Sequence, residues 1–233
     1  MANINRKSLK HDRFVEEVGR DIQYFREHRT TIIVGLAVAV VAIVGGAWYY
    51  SNQQSQRLNS MAALQEAAVM FSRPVSVDPQ PGMQAFVTSG ERMREVTAAL
   101  EKVKTDFPGT EAAAAADYYY ALFDIETEDY AAAKTKLQSA IAGADEEYAS
   151  LARLALADVL AAEGDVAGAR AEYEKLVNSP TAVVPASRAK LALARTIAKT
   201  DPAAARALLQ ELVDATGPAS TIAARELRTL PQS

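Results

Sequence analysis

Hydrophobic positions follow two different patterns along this chain. From Ile32 to Tyr50 every residue is apolar or glycine, and no charged residue occurs between Arg29 and Arg57. After residue 51, apolar residues instead recur at the spacing of one helical face, without alternating β-branched runs. The pattern predicts an all-α protein in which one apolar N-terminal helix precedes an array of amphipathic helices.

The apolar segment, assigned to residues 31–50, is long enough to cross a lipid bilayer. About 20 residues that rise about 1.5 Å each span a hydrocarbon layer of roughly 30 Å. Trp48, Tyr49 and Tyr50 lie at one end, where aromatic rings favour the headgroup region. A helix buried in a soluble core is the alternative, but such helices usually carry some polar residue over this length.

Charge on either side of this segment predicts its orientation. The 22 residues after Tyr50 contain one basic residue, whereas the first 30 residues contain seven. These seven are Arg6, Lys7, Lys10, Arg13, Arg20, Arg26 and Arg29. Because basic flanks stay inside, residues 1–30 are expected to form a cytoplasmic stub, with the C-terminal part exported. A signal peptide cleaved near Gly45-Gly46-Ala47 is the alternative, although five acidic residues in the stub are unusual for a signal.

The cytoplasmic stub contains an amphipathic stretch at residues 12–29. Its apolar face consists of Phe14, Val18, Ile22 and Phe25. This stretch is predicted either to lie on the cytoplasmic surface of the membrane or to form a solvated helix without a partner.

A stripe of small residues runs along the transmembrane segment at spacings of 4, 3 and 4, formed by Gly35, Ala39, Ala42 and Gly46. Small residues on one face let a second helix approach closely, so this stripe is a candidate helix-packing face. Glycine and alanine are also common in membrane helices that have no such role, and this alternative remains open.

A motif of the form D-x-x-x-A-[KR] occurs three times in the exported part, at offsets of 36 and 36 residues. Its copies begin at Asp129, Asp165 and Asp201. A large residue follows each motif alanine by four positions, at Leu137, Tyr173 and Leu209. The preceding helix carries a small residue at Ala121, Ala157 and Ala194. Small positions opposite large ones permit close helix crossing.

This succession of helix pairs resembles the tetratricopeptide repeat over roughly residues 90–230. The resemblance implies a short α-solenoid, because a single helix pair cannot bury its apolar face alone. The repeat domain is assigned to residues 90–233 and is preceded by a helical stalk and a proline-containing loop at residues 51–89. Within that region, residues 73–89 are interpreted as either a recognition element or slack between helices.

The same resemblance implies a binding groove, because the first helix of each pair lines the concave surface in such arrays. The residues placed in it are Tyr118, Leu122, Leu154, Asp158, Leu191 and Arg195. Such a groove would suit a peptide or a partner helix, and a shallow, empty groove is the alternative. Tyr120 is expected to pack in the core.

Composition removes most catalytic chemistry from the exported part. The sequence has no cysteine, and both histidines, His11 and His28, precede the apolar segment. Residues 51–233 carry a formal charge of −6, unlike a basic nucleic-acid-binding domain. No phosphate-binding loop, nucleophile elbow or zinc-protease motif occurs. We therefore expect a non-enzymatic protein that binds proteins, with no cofactor, metal, small-molecule substrate or nucleic acid.

The order of segments resembles the bacterial YfgM-like family of ancillary SecYEG translocon subunits. The resemblance implies a single-pass inner-membrane protein with its repeat domain in the periplasm. It also implies association with the translocon and with a membrane-anchored periplasmic chaperone. An exported repeat scaffold for envelope or cell-wall assembly is the alternative function.

Overall fold

A computed structural model describes residues 29–78, 80 and 82–230 of the chain. Apart from Arg29, the predicted amphipathic stretch at residues 12–29 lies outside the described residues. The chain divides into two compact units, residues 1–55 and residues 56–233. Each unit is described by itself below.

Secondary structure in the described residues is helical, and they contain no strand beyond an isolated bridge between Val75 and Phe86. This confirms the predicted all-α class. The described helices are α1 (Arg29–Phe71), α2 (Ser89–Asp106), α3 (Glu111–Glu126), α4 (Tyr130–Gly143), α5 (Glu146–Ala162), α6 (Val166–Asn178), α7 (Ala186–Ile197), α8 (Pro202–Asp214) and α9 (Ser220–Thr229).

Helix α1 contains the predicted transmembrane segment. By length and composition it is the one helix in the described part of the chain that can cross a membrane, over Ile33–Phe71, near the N-terminus. Its large apolar side chains are exposed in the first unit, from Val40 at 50% to Val41 at 71%. Unbroken apolar sequence from Ile33 to Tyr50 leaves no polar face, so this part of the helix is apolar on every side.

The second unit begins with the last four turns of α1. Leu64 and Ala67 of this stretch share one buried cluster with Val96 and Leu100 of α2 and Phe123 of α3. Leu100 and Val103 of α2 precede Tyr173 and Leu176 of α6 by 73 residues, about two repeat lengths, and are buried as those residues are. Helix α2 therefore presents the same apolar face as the second helices that follow it.

The repeated aspartate of the D-x-x-x-A-[KR] motif caps a helix in each copy. Asp129, Asp165 and Asp201 precede α4, α6 and α8, and each carboxylate accepts a hydrogen bond from the backbone N–H three residues later. The N···O distances are 3.0, 2.9 and 3.0 Å. A side-chain acceptor satisfies one of the backbone donors that a helix start leaves unpaired, which explains why the aspartate recurs.

The repeated alanines lie in the core. Side chains at the first-helix positions Ala121, Ala157 and Ala194 and at the motif positions Ala133, Ala169 and Ala205 are at most 1% exposed. The large residues Leu137, Tyr173 and Leu209 are at most 2% exposed. These helices pack closely because the small side chains leave room for the large ones, as the sequence predicted.

The basic residue that ends the motif extends toward the next turn. Lys134 Nζ lies 2.7 Å from the Glu163 carboxylate, at the end of α5. Arg170 lies 2.9 Å from Glu174 on its own helix and 3.4 Å from Asp201, the cap of α8. In these two copies the basic residue therefore forms an ion pair with the turn of the following helix pair.

The described part of the connection between α1 and α2, residues 72–78, 80 and 82–88, contains no helix. The N–H of Ser76 donates to the Phe86 carbonyl at 2.8 Å, and the N–H of Phe86 donates to the Pro74 carbonyl at 2.9 Å. The Phe86 side chain is 8% exposed. These contacts hold the two ends of the connection together, while the alternatives of recognition element and slack both remain predictions.

Candidate protein-interaction face

The six predicted groove residues occupy two equivalent positions on the first helices α3, α5 and α7. At the earlier position, Tyr118 is half-buried, whereas Leu154 and Leu191 are 5% and 8% exposed and belong to the core cluster. The later position is occupied by Leu122, which is half-buried, and by Asp158 and Arg195, which are exposed. We call the surface formed by these helices the first-helix face. Only its later row keeps charged side chains at the surface.

Tyrosine rings from α3 and α5 meet on the first-helix face. The Tyr118 ring lies 5.2 Å from that of Tyr119 and 6.2 Å from that of Tyr148, both in edge-to-face geometry. The hydroxyls of Tyr119 and Tyr148 are 3.2 Å apart and share a hydrogen bond. Burial is the largest cause that raises the pKa of Tyr118 and Tyr119 above 10.0, so both hydroxyls stay protonated at neutral pH.

The tyrosine cluster continues into aromatic residues at the end of α1. The Phe71 ring lies 5.5 Å from Tyr119 and 5.3 Å from Phe123. Arg92 of α2 lies over both phenylalanine rings, and its Nη2 donates to the Glu126 carboxylate at 2.8 Å. An adjacent cleft of about 490 Å³ is lined by Tyr119 and by residues of α1 and of the segment after it. The face thus presents rings with hydroxyl groups beside an open cleft.

Asp158 connects the first-helix face to the core. Its carboxylate accepts a hydrogen bond of 2.5 Å from the hydroxyl of buried Tyr173, which stands where the other copies have leucine. Although the Asp158 residue as a whole is exposed, desolvation of its carboxylate beside buried Tyr173 raises its pKa, while the Tyr173 hydrogen bond and the positive charge of Arg188 oppose that rise. The hydroxyl at position 173 therefore has a partner, which a buried tyrosine needs.

Arg195 is paired at the C-terminal end of the face. Its Nε and Nη2 donate to one carboxylate oxygen of Glu226 in α9, at 2.7 and 2.5 Å. Ala223 of α9 is fully buried, and Leu227 and Leu230 pack against the last core cluster. Helix α9 therefore packs against the last core cluster of the described residues, beside α7 and α8.

The chain was compared with models of known protein families. A model described as a tetratricopeptide repeat-like domain matches residues 23–179, which is more than half of the chain. The chain belongs to the tetratricopeptide repeat-like domain family. Neither the comparison with curated proteins nor the comparison with solved structures found a match.

Tetratricopeptide repeat-like structure extends beyond the matched residues. Helices α7 and α8 follow residue 179 and keep the buried alanines Ala194 and Ala205 as well as the Asp201 cap. The predicted repeat family is confirmed, whereas no comparison tests the finer YfgM-like assignment. Domains of this family are protein-interaction modules. The family therefore indicates that this chain binds protein partners.

No arrangement for metal chemistry occurs within residues 29–78, 80 and 82–230, since no three His, Cys, Asp or Glu side chains there group to hold an ion. Several acids on the repeats are instead paired with bases, as in Lys104–Asp117 and Arg153–Glu172. Asp117, which is 9% exposed, also accepts a hydrogen bond of 2.6 Å from the Ser139 hydroxyl. These charges connect helices to one another.

Several residues of the face were missed by sequence reasoning. Tyr148 had a local signal, because Asp145 caps α5 and places Tyr148 in its first turn, the usual context of a first-helix residue. Phe71 lies on an apolar stripe at helical spacing in the sequence, but no local pattern connected it or Arg92 with this face, since their contacts join helices that are separated by a long connection. Tyr120, expected in the core, is half-buried against it, and its hydroxyl donates to the Thr97 carbonyl at 3.2 Å.

The small-residue stripe of α1 meets no partner within the described chain. Gly35, Ala39, Ala42 and Gly46 are exposed. A Cβ added at Gly35 or Gly46 would meet no atom within 4 Å. Packing of another helix on this stripe remains a prediction.

Proposed function

We propose that this protein is a non-enzymatic, membrane-anchored scaffold whose repeat domain binds proteins on the exported side of the bacterial inner membrane. Within that role we place it as an accessory of the protein-export translocon, linked to periplasmic chaperones. The repeat family supplies the protein-binding part of the proposal, and the resemblance in segment order supports the translocon part.

The observation that carries the anchoring is the contrast in burial along α1. Val38, Val41 and Ile43 expose 63%, 71% and 70% of their surface, whereas Leu64 and Ala67, further along the same helix, are at most 1% exposed. Contiguous exposed apolar surface of this size is unfavourable in water and is covered by lipid or protein. A single helix also satisfies its own backbone hydrogen bonds in lipid.

The orientation rests on charge. Seven basic residues precede the apolar run, while the 22 residues after Tyr50 contain only Arg57. Positive flanks remain cytoplasmic, so the repeats are placed on the exported side. Tethering there raises the local concentration of the binding face near membrane partners without any chemical step.

Crosslinking in cells, followed by affinity purification of the tagged full-length protein from membranes, tests the proposal. We expect translocon or membrane-anchored chaperone subunits to be recovered. The double variant Tyr118→Ser with Tyr148→Ser, which removes two rings of the first-helix face, is expected to lose them while staying in the membrane. Tyr130→Ser, on the second helix α4, serves as the matched control and is expected to keep them.

Recovery of neither class of subunit would overturn the translocon role. Recovery of envelope or cell-wall assembly proteins in their place would favour the alternative scaffold. A soluble mature form that starts near Trp48 would overturn the anchor itself. Each outcome is read from fractionation and mass spectrometry of the same preparation.

A further inference from the structure

An apolar slot lies between α6 and α8, the second helices of the last two pairs. Val177 of α6 and Ala204, Ala207 and Leu208 of α8 line its walls, and Leu193 of α7 forms its floor. Its volume is about 390 Å³. The slot is separate from the first-helix face, because its walls come from second helices.

The preceding pair shows what is unusual about this slot. Second helices repeat every 36 residues, so Leu208 and Glu211 correspond to Glu172 and Lys175 of α6. An apolar side chain in the last pair thus stands where the previous pair has a carboxylate. The floor is unchanged, because Leu193 corresponds to Leu156.

The ion pairs differ accordingly. In the earlier pair, Glu172 accepts from Arg153 of α5 at 2.8 Å and from Lys175 at 2.6 Å, so a charged cluster occupies this region. First helices are offset by 37 residues here, so Lys190 corresponds to Arg153. Lys190 pairs with Glu211 at 2.7 Å, one helical turn further along α8. Because the carboxylate that pairs with the base of the first helix lies one turn further along in this pair, the wall at Leu208 is apolar.

Charge around the slot is negative. The charged residues at its rim, together with their ion-pair partners, are three carboxylates (Glu174, Asp201, Glu211) and two bases (Arg170, Lys190). The carboxylate side chains of Glu174 and Glu211 are 50% and 59% exposed, against 43% for Arg170 and 27% for Lys190. Residues 51–233 as a whole carry −6. A partner that enters the slot therefore meets exposed negative charge.

The length and volume of the slot indicate what kind of ligand it can hold. The lining residues of α6 run from Arg170 to Asn178, a length of about 12 Å at a rise of about 1.5 Å per residue. That length accommodates two side chains one helical turn apart. A volume of about 390 Å³ compares with the roughly 150 Å³ that holds one benzene molecule in a protein cavity.

We propose that the slot between α6 and α8 binds two neighbouring apolar side chains, one turn apart, of an amphipathic partner helix whose flanking residues are basic. This recognition lays an apolar helical stripe into a groove and adds charge attraction at the rim. The proposal rests on the protein-binding role proposed above but not on the identity of the partner. It gives the repeat domain a second binding surface.

The test uses the full-length protein in lipid nanodiscs and a short amphipathic peptide of Leu, Ala and Lys that carries a photoreactive diazirine leucine in its apolar stripe. Mass spectrometry of the crosslinked protein is expected to find adducts at Val177, Leu193 or Leu208. A peptide with Glu in place of every Lys is expected to give far fewer adducts. A third peptide of the same composition, but without the helical stripe, is expected to give none in the slot.

Two variants localise the effect. Ala207→Trp fills the slot and should reduce the slot adducts about tenfold, which corresponds to about 1.4 kcal/mol of binding free energy. Ala203→Trp, on the same helix but outside the slot, is the matched control and should leave them unchanged. Leu208→Glu restores the residue of the preceding pair and provides a second variant if Ala207→Trp melts at a lower temperature.

Unchanged slot adducts in Ala207→Trp and Leu208→Glu would overturn the proposal, as would equal labelling by the acidic peptide. Adducts confined to Tyr118 and Tyr148 would also overturn it while leaving the scaffold role intact. Slot adducts together with failure to recover translocon subunits would instead leave the slot standing and remove the translocon assignment.

Discussion

Two regions of this molecule use similar apolar residues in opposite environments. Val41 in the N-terminal part of α1 is 71% exposed, whereas Val96 in α2 is fully buried. Both helices contain valine and alanine, but α2 also carries eight charged residues. The difference lies in periodicity: the first segment is apolar on every side, and the second alternates an apolar face with a charged one. Periodicity therefore separates a helix suited to crossing a membrane from a helix that packs against neighbouring helices.

The regions also differ in how they use polar groups. The apolar run of α1 contains none, while each motif copy in the repeats begins with a capping aspartate. Repeat helices are short, so uncapped ends would form a large fraction of their backbone. Changes to the apolar run should therefore act on membrane attachment, and changes to the repeats on folding stability.

The largest effect is expected from charge placed in the apolar run. Val38→Arg together with Val41→Arg should disfavour insertion by about 2.5–3.5 kcal/mol per residue at the centre of a membrane helix. Carbonate extraction of membranes should then move the protein into the soluble or aggregated fraction. Gln53→Arg, outside the run, should leave it in the membrane. Retention of the double variant would show that α1 does not span the bilayer.

The second-largest effect is expected from the removal of a large core side chain. Leu137→Ala empties space around a fully buried residue of α4 and should cost about 2–5 kcal/mol of unfolding free energy. The half-buried Leu122 provides a matched change, and Leu122→Ala should cost clearly less. Denaturant melts of the solubilised full chain measure both. Equal losses would mean that the repeat core is not centred on the motif positions.

Loss of a helix cap should have a moderate effect. Asp165→Ala leaves the Gly168 N–H without its acceptor and should cost about 1 kcal/mol. Asp165→Asn retains an oxygen acceptor and should recover most of that loss. Thermal unfolding followed by circular dichroism distinguishes the variants. If the asparagine variant is as unstable as the alanine variant, charge rather than capping explains the repeated aspartate.

Substitutions in two equivalent turns should change the free energy of unfolding by smaller amounts and with opposite signs. The residue before the motif aspartate is left-handed at Glu128, with φ 60°, and at Gly164, with φ 87°. Glu128→Gly relieves a conformation that costs L-residues about 1–2 kcal/mol, but it increases the entropy of the unfolded chain, so the net gain should stay below about 1 kcal/mol. Gly164→Ala introduces the same strain and should lower stability. A change of the same sign in both variants would contradict this.

The smallest expected effect is a pH dependence at Asp158. Because its pKa is raised in the folded protein, chiefly by burial, the folded state binds this proton more tightly than the unfolded chain does. Its contribution to stability is therefore present below the ordinary pKa of 3.8 and is lost as the pH rises through the folded value. The stability of Asp158→Asn relative to the natural protein should rise from acid to neutral pH. A fall would mean that Arg188 and the Tyr173 hydrogen bond outweigh burial.

The buried residues of the repeat core could be predicted from the sequence because they recur at short, fixed spacings. A 36-residue recurrence of aspartate, alanine and a large residue was enough to place Ala133, Ala169 and Leu137 inside. Sequence reasoning reached the first-helix face only partly. Tyr118, Leu154 and Leu191 occupy one equivalent position, yet burial differs among them because each next helix packs against a different neighbour. Periodicity identifies a face but does not show how deeply the next pair covers it.

The sequence by itself determined the apolar run, the helical class, the repeat and the basic stub, because each depends on residue type at a short, fixed spacing. Only the tertiary structure decided that Phe71 and Arg92 join the tyrosine cluster, that Asp158 pairs with Tyr173, and that a slot remains between α6 and α8. These features depend on contacts between residues that are far apart in the chain. Such contacts are set by how the helices pack and not by any local pattern.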